Sequence, residues 1–175
     1  MNLPNQLTMA RMIAVPIFIV VYLMGYNIPA AIIFILASIT DFLDGYLARK
    51  HNLVSNFGKI MDPLADKLLV ISALVCMVEL GIVAGWMVIV ILAREFTVTG
   101  LRTVAAAQGI VIAAGMTGKI KTVLQMIAVP LLLLENWPFQ LIGLPVDQIF
   151  LWASVIMTIV SGTEYVYQNR KVFSM

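Results

Sequence analysis

The stretch IIFILASITDFLDGYLARKHNLVSNFGKIMDPLADKLLVISALVCMV, Ile32–Val78, holds two apolar runs around a polar middle. Four aspartates stand inside or at the edge of those runs: Asp41 and Asp44 before the middle, Asp62 and Asp66 after it. Spacings of three and four put each pair on one helix face. With its flank, each run reaches the roughly 20 residues that a helix needs to cross a bilayer. Asp41 precedes Arg49 by eight residues, about 12 Å of helix, and Asp66 follows Lys59 by seven, about 10 Å. Two such helices running in opposite directions would bring all four carboxylates to one level. Charged groups inside a membrane span cost several kcal/mol unless they are paired or metal-bound, so the four are functional candidates by default.

Outward from this stretch the chain keeps the same character. Of 175 residues, 62% are hydrophobic and 11% charged. A soluble domain carries roughly a quarter charged residues, so a soluble globular protein and a disordered chain are both excluded. Six apolar stretches read as spans: Leu7–Tyr26, Ile28–Arg49, Lys59–Leu80, Val83–Ala107, Gly118–Asn136 and Val146–Asn169. The expected fold is an all-α integral membrane protein of six transmembrane helices, forming one domain over residues 1–175. Met1–Asn5 is too short to cross and is expected to lie along the inner interface. Arg11, Arg49, Lys50, Lys59, Arg102, Lys119, Lys121, Arg170 and Lys171 fall on one side, and the opposite loops hold no Lys or Arg. By the positive-inside rule the basic side, with both termini, is cytoplasmic. A net charge of +2 gives no basic field for nucleic acid. The single cysteine, Cys76, makes no intrachain disulfide.

Four carboxylates at one depth repel unless protons or cations neutralise them. Two divalent ions would balance the charge, and an all-oxygen donor set favours Mg²⁺, Mn²⁺ or Ca²⁺ over zinc. Between the pairs, Gly45 and Ala48 are small and three apart, which lets a ligand approach the backbone. Arg49 adds a cationic fork suited to phosphate. Carboxylates, arginine and close backbone together suit a metal-bound diphosphate. Farther on, Arg94 lies deep in the fourth stretch, with Arg102 eight residues later on the same face. Glu95, adjacent in sequence, is expected to point elsewhere, so Arg94 calls for an anion from outside the chain. Lys119 and Lys121 open the fifth stretch.

The string Asp41-Phe-Leu-Asp44-Gly45-Tyr-Leu-Ala48-Arg49, followed by Gly58-Lys-Ile-Met-Asp62-Pro-Leu-Ala-Asp66, resembles the signature of the CDP-alcohol phosphotransferase family at all eight defining positions. The opening NLPNQLTMAR and the later REFTVTGLRTVAAA and GKIKT look like the phosphatidylglycerophosphate synthase branch of that family. The resemblance implies a metal-dependent transfer of a phosphatidyl group from CDP-diacylglycerol to sn-glycerol 3-phosphate in the cell membrane. It implies that Asp41, Asp44, Asp62 and Asp66 hold two Mg²⁺ or Mn²⁺ ions, with Asp66 the general base. Asn5, Thr8, Gly45, Ala48, Arg49 and Gly58 would line the CDP-diacylglycerol site. Arg94, Arg102, Lys119 and Lys121 would bind the acceptor phosphate. It further implies a homodimer among membrane lipids, with the site facing the cytoplasm of a bacterial cell.

Other readings stay open at this stage. Relatives with other acceptors share the motif, and phosphatidylglycerol, the acceptor of a cardiolipin synthase, is anionic too. Inositol phosphate is a third possibility. A carboxylate-lined cation transporter would show broken helices or repeats, and none is visible. An intramembrane prenyltransferase spaces its aspartate motifs over separate helix pairs. Gly109, Gly115 and Gly118 are expected to shape the turn between the fourth and fifth helices. Pro130 is expected to interrupt the fifth.

Overall fold

A computed structural model describes the backbone of residues 3–50, 56–113 and 115–170, and the side chains of 7–40, 64–65, 67–113 and 115–170. Among the described residues every regular element is helical. There are six α-helices: α1 (Leu3–Leu23), α2 (Asn27–Lys50), α3 (Asn56–Glu79), α4 (Gly85–Ala107), α5 (Met116–Leu133) and α6 (Val146–Gln168). A short 3-10 turn, Phe139–Ile142, lies between α5 and α6. Each α-helix falls on one of the six apolar stretches, with ends shifted by a few residues. Two of them, α5 and α6, are long and apolar enough to cross a membrane; Leu7–Leu23 of α1 and Asn27–Thr40 of α2 are shorter apolar segments. Charge accounts for part of the difference, since α4 carries Arg94, Glu95 and Arg102 within its length.

One boundary differs from expectation. Helix α1 begins at Leu3, four residues before the expected start of the first span. Pro4 does not prevent this, because a first-turn residue has no intrahelical acceptor for its N–H and proline is tolerated there.

By its internal packing the chain divides into two compact units, Met1–Ile82 with Leu133–Glu135, and Val83–Leu132 with Asn136–Met175. In the first, α1 packs against α2 and α3. The buried face of α1 is Thr8, Arg11, Val15, Phe18 and Tyr22, spaced at alternating threes and fours. Phe18 stacks on Tyr22 at 5.8 Å and meets Phe34 of α2 at 6.1 Å. Around them the facing residues are small: Ala30, Ala31 and Ala37 on α2, Ala65 and Ala73 on α3. Small side chains let helix backbones approach closely, which is how helices gain contact where no hydrophobic effect drives them together. Outward positions such as Ile13, Ile17, Val20, Ile28, Ile32 and Leu36 are apolar and exposed. The end of α3 is closed by Gly81 at φ 72°: its N–H reaches Val78 O and the Ile82 N–H reaches Met77 O. That paired closure needs a left-handed residue, which glycine supplies without strain.

In the second unit α4 packs on α6. Trp86 lies 5.7 Å from Trp152, Arg94 bonds Ser161, and Arg102 bonds Tyr165, so the two helices run in the same direction. The buried face of α6 is Leu151, Ser154, Val155, Thr158, Ser161 and Tyr165. Its hydroxyls are satisfied within the helix: Ser154 donates to Leu151 O, Thr158 to Ser154 O and Ser161 to Thr158 O. Before α6, the Asn136 side chain donates to Leu144 O at 2.7 Å and accepts from the Asp147 N–H at 3.2 Å, tying the connecting loop to the helix start.

Candidate active site

Two helices of the first unit carry the motif. Asp41, Asp44, Gly45, Ala48 and Arg49 belong to α2, and Gly58, Asp62 and Asp66 to α3. These side chains, and that of Asn5, lie outside the described residues. The helices on which the sequence places them are as expected. On α2, positions 41, 44 and 48 follow Ala30, Phe34 and Ala37 at helical spacings of three and four. On α3 the series Ala73, Leu69, Ala65 counts back to position 62 by the same steps, with 66 one turn on from 62. Four carboxylates form an all-oxygen donor set, which suits a hard divalent ion such as Mg²⁺ or Mn²⁺.

The same unit holds a charged group that the sequence reading treated as an inner-side anchor. Arg11 is 2% exposed and Thr8, one turn before it, is fully buried. A buried guanidinium is costly unless compensated, so Arg11 belongs with the functional candidates. Its signal in the sequence was present but unused: Thr8, Arg11 and Val15 follow the helical spacing of a buried face. Thr8, expected in the CDP-diacylglycerol site, is on that face.

A second cluster is built in the other unit by α4, α5 and α6. The Glu95 carboxylate oxygen Oε1 lies 3.0 Å from Arg94 Nη1 and 2.6 Å from Lys121 Nζ. Arg94 Nε donates to Ser161 Oγ at 3.2 Å. Lys121 is 4% exposed, and the Arg94 and Glu95 side chains are each 13% exposed. The expectation that Glu95 could not serve Arg94 is therefore corrected. Adjacent residues leave a helix about 100° apart, but the long arginine side chain bends back to its neighbour's carboxylate. Among the described residues one carboxylate faces two cations, an arrangement suited to an anionic ligand.

The remaining basic residues divide. Arg102 leans on α6 as Arg94 does, donating from Nε to the Tyr165 hydroxyl at 3.1 Å with its guanidinium 5.6 Å from that ring. It is nevertheless exposed, as is Lys119 on the first turn of α5. Lys121 differs from both, since its amine is buried at the cluster. Arg94 also lines an open groove of about 580 Å³ between α4 and α6, with Val90, Thr97, Thr158, Gly162 and Arg170 among its walls. Gly118, expected in a turn, lies inside α5 and against Arg94, where a Cβ would stand 2.9 Å from Nη2. Gly109, at φ 75°, does close the end of α4 as expected.

Comparison with known proteins places this arrangement. Residues 1–160 match the family model described as CDP-alcohol phosphatidyltransferase. The chain is 50% identical over 183 aligned positions to a protein of Bacillus subtilis (strain 168) named CDP-diacylglycerol–glycerol-3-phosphate 3-phosphatidyltransferase, covering 96% of this chain and 95% of that one. A Rickettsia bellii protein of the same name is 42% identical, covering 98% and 97%. A Mycobacterium tuberculosis (strain ATCC 25618 / H37Rv) protein named probable phosphatidylglycerophosphate synthase is 37% identical, covering 94% and 80%. With the model matching most of its length and relatives alike from end to end, this chain belongs to the CDP-alcohol phosphatidyltransferase family.

Proposed function

We propose that the protein transfers the phosphatidyl group of CDP-diacylglycerol to sn-glycerol 3-phosphate, giving phosphatidylglycerophosphate and CMP. The observation that carries this reading is the nearly full-length likeness to proteins named for that reaction. The motif alone fixes the donor chemistry. The choice of acceptor gains support from Arg94 and Lys121, two cations gathered on one carboxylate in a place largely closed to water.

In this reading Asp41, Asp44, Asp62 and Asp66 hold two Mg²⁺ or Mn²⁺ ions, which would draw charge from the diphosphate of the donor. Arg49, with Gly45, Ala48, Gly58, Thr8 and Asn5, receives the cytidine diphosphate portion. Arg94 and Lys121 hold the phosphate of the acceptor, with Arg102 and Lys119 in lesser roles. The carboxylate of Asp66 takes the proton of the acceptor 1-hydroxyl. The oxygen so freed forms a bond to the phosphorus that bears diacylglycerol. The bond from that phosphorus to the bridging oxygen breaks, and CMP leaves with the electron pair. The acceptor phosphate is untouched, so its binding site can be built from cations alone.

All six helices span the membrane in this reading, with both termini and the site on the cytoplasmic side of a bacterial plasma membrane and the chain paired as a homodimer. The basic inner side supports the orientation. Length supports the spans, since 18 to 24 residues make about 27–36 Å of helix against a hydrocarbon core of about 30 Å.

The test is CMP release by detergent-purified protein given CDP-diacylglycerol and Mg²⁺ or Mn²⁺, with glycerol 3-phosphate, phosphatidylglycerol or inositol phosphate in separate arms. Release that needs glycerol 3-phosphate and the metal is the expected result. Release only with phosphatidylglycerol or inositol phosphate overturns the acceptor. Absence of CMP release in every arm overturns the transferase reading.

A further inference from the structure

The Arg94 side chain is enclosed in a way that its proposed role does not by itself require. Nε is taken by Ser161 Oγ at 3.2 Å and Nη1 by Glu95 Oε1 at 3.0 Å. The third nitrogen, Nη2, lies over Gly118 of α5, where an added Cβ would stand 2.9 Å away. The stem lies over Gly162 of α6, where a Cβ would be 3.1 Å from Cγ and 3.7 Å from the arginine Cβ. Two glycines on two helices thus leave room for one side chain. Gly162 sits in the interior of α6, where glycine costs about 1 kcal/mol relative to alanine, and Gly118 sits in the first turn of α5. Neither has a left-handed backbone that would call for glycine. What glycine gains at both positions is the space that Arg94 fills.

We propose that Gly118 and Gly162 are positioning residues that fix the Arg94 guanidinium and thereby set the affinity for the acceptor's phosphate. This rests on the reading of Arg94 as an acceptor contact. The two positions act differently. At Gly118 the obstructed atom is the far end of a flexible side chain, so alanine displaces the guanidinium and leaves the helices where they are. At Gly162 the obstructed atoms are the stem near the α4 backbone, which cannot swing away, so alanine presses on the α4–α6 contact as well. Binding of a small anion depends on donors held in register with its oxygens, so a displaced fork loses affinity without any loss of charge.

The measurement is steady-state kinetics and thermal unfolding of Gly118→Ala, Arg94→Lys and the double variant, in detergent with CDP-diacylglycerol and metal. Gly118→Ala is expected to raise KM for glycerol 3-phosphate about tenfold, about 1.4 kcal/mol. Its kcat and its KM for CDP-diacylglycerol should stay within about twofold of the parent. Its melting temperature should be equal or higher, because alanine favours the helix. Lysine ends short of the Nη2 position, so Gly118→Ala should change KM less than about twofold when Arg94 is already lysine. An unchanged KM in Gly118→Ala overturns the proposal, and so does an equal rise in both backgrounds. A fall in melting temperature together with kcat also overturns it, as the signature of a merely structural glycine. If Arg94→Lys leaves KM for glycerol 3-phosphate unaltered, the acceptor reading of Arg94 itself fails, a result distinct from all of these. Should Arg94→Lys be inactive, the stabilisation of melting by glycerol 3-phosphate decides instead. Gly118→Ala should lose most of it, and full retention overturns the proposal.

Discussion

The two compact units handle charge in opposite ways. The first gathers acids: α2 and α3 carry four motif aspartates on a bundle otherwise packed through alanine and phenylalanine. The second gathers bases: Arg94, Arg102 and Lys121 are fastened to α6 or to Glu95 by individual polar contacts. In the first, close packing of small residues sets the frame. In the second, polar bonds join α4 to α6 alongside apolar contacts such as Trp86 on Trp152. The lesson is that loss of charge should act on chemistry in one unit, and on binding and stability together in the other.

The largest expected effect breaks the first unit's function alone. Asp66→Asn removes the proposed base while keeping shape, and turnover should fall about 10²- to 10⁴-fold. Melting temperature should hold or rise, because like carboxylates that repel have lost one member. A variant that keeps a tenth of the parent's CMP release would remove Asp66 from the base role. In the second unit, Arg94→Ala should act on KM for glycerol 3-phosphate rather than on KM for CDP-diacylglycerol. Loss of charge-assisted hydrogen bonds costs about 2–3 kcal/mol, or roughly 30- to 150-fold. Equal changes in both KM values would show that Arg94 supports the fold rather than the acceptor.

Much of this was legible before any coordinates. Apolar runs and their interruptions located all six helices, because hydrophobic length is a strong signal in a chain with so few charges. The motif aspartates were placed on α2 and α3 by spacing alone. Contacts between distant positions were not legible. Nothing in sequence distance links Arg94 to Ser161, 67 residues away, or Glu95 to Lys121, 26 away. Glu95 was set aside because adjacent residues point apart, an argument about Cβ directions that a six-atom side chain can defeat. Gly118 was read as turn material because glycines cluster at 109, 115 and 118, whereas only packing shows that it makes room for a guanidinium. The hydroxyl stripe of Ser154, Thr158 and Ser161 was hidden in a helix that reads as plainly apolar.

A smaller effect tests the idea that polar bonds hold the second unit together. Glu95→Gln leaves Arg94 and the buried Lys121 amine side by side without the shared negative charge. Breaking a buried ion pair by removing one partner costs about 3–5 kcal/mol, and the 13% exposure of Glu95 puts the expected loss at or below the lower end, about 2–3 kcal/mol. Glycerol 3-phosphate should restore more stability to this variant than to the parent, because its phosphate supplies the missing negative charge between the same two cations. Unaltered melting in Glu95→Gln would show that the cluster is held by other contacts.

The smallest effect separates the two arginines that the sequence treats alike. Arg94 and Arg102 are eight residues apart on one face of α4, and both reach α6, at Ser161 and Tyr165. Their surroundings differ. Arg94 is largely enclosed and shares a carboxylate with buried Lys121, whereas Arg102 is exposed and rests on a tyrosine ring and hydroxyl. Exposed cation–π and polar contacts are worth about 0.5–1 kcal/mol. Arg102→Ala should therefore change KM for glycerol 3-phosphate only about two- to fivefold, with a fall in salt dependence no larger than loss of one screened charge allows. Tyr165→Phe, which keeps the ring and removes the acceptor hydroxyl, should do less. If Arg102→Ala instead matches Arg94→Ala, burial is the wrong guide to which cation holds the phosphate. The acceptor would then sit one or two turns nearer the end of α4, where Arg102 and its exposed neighbours stand.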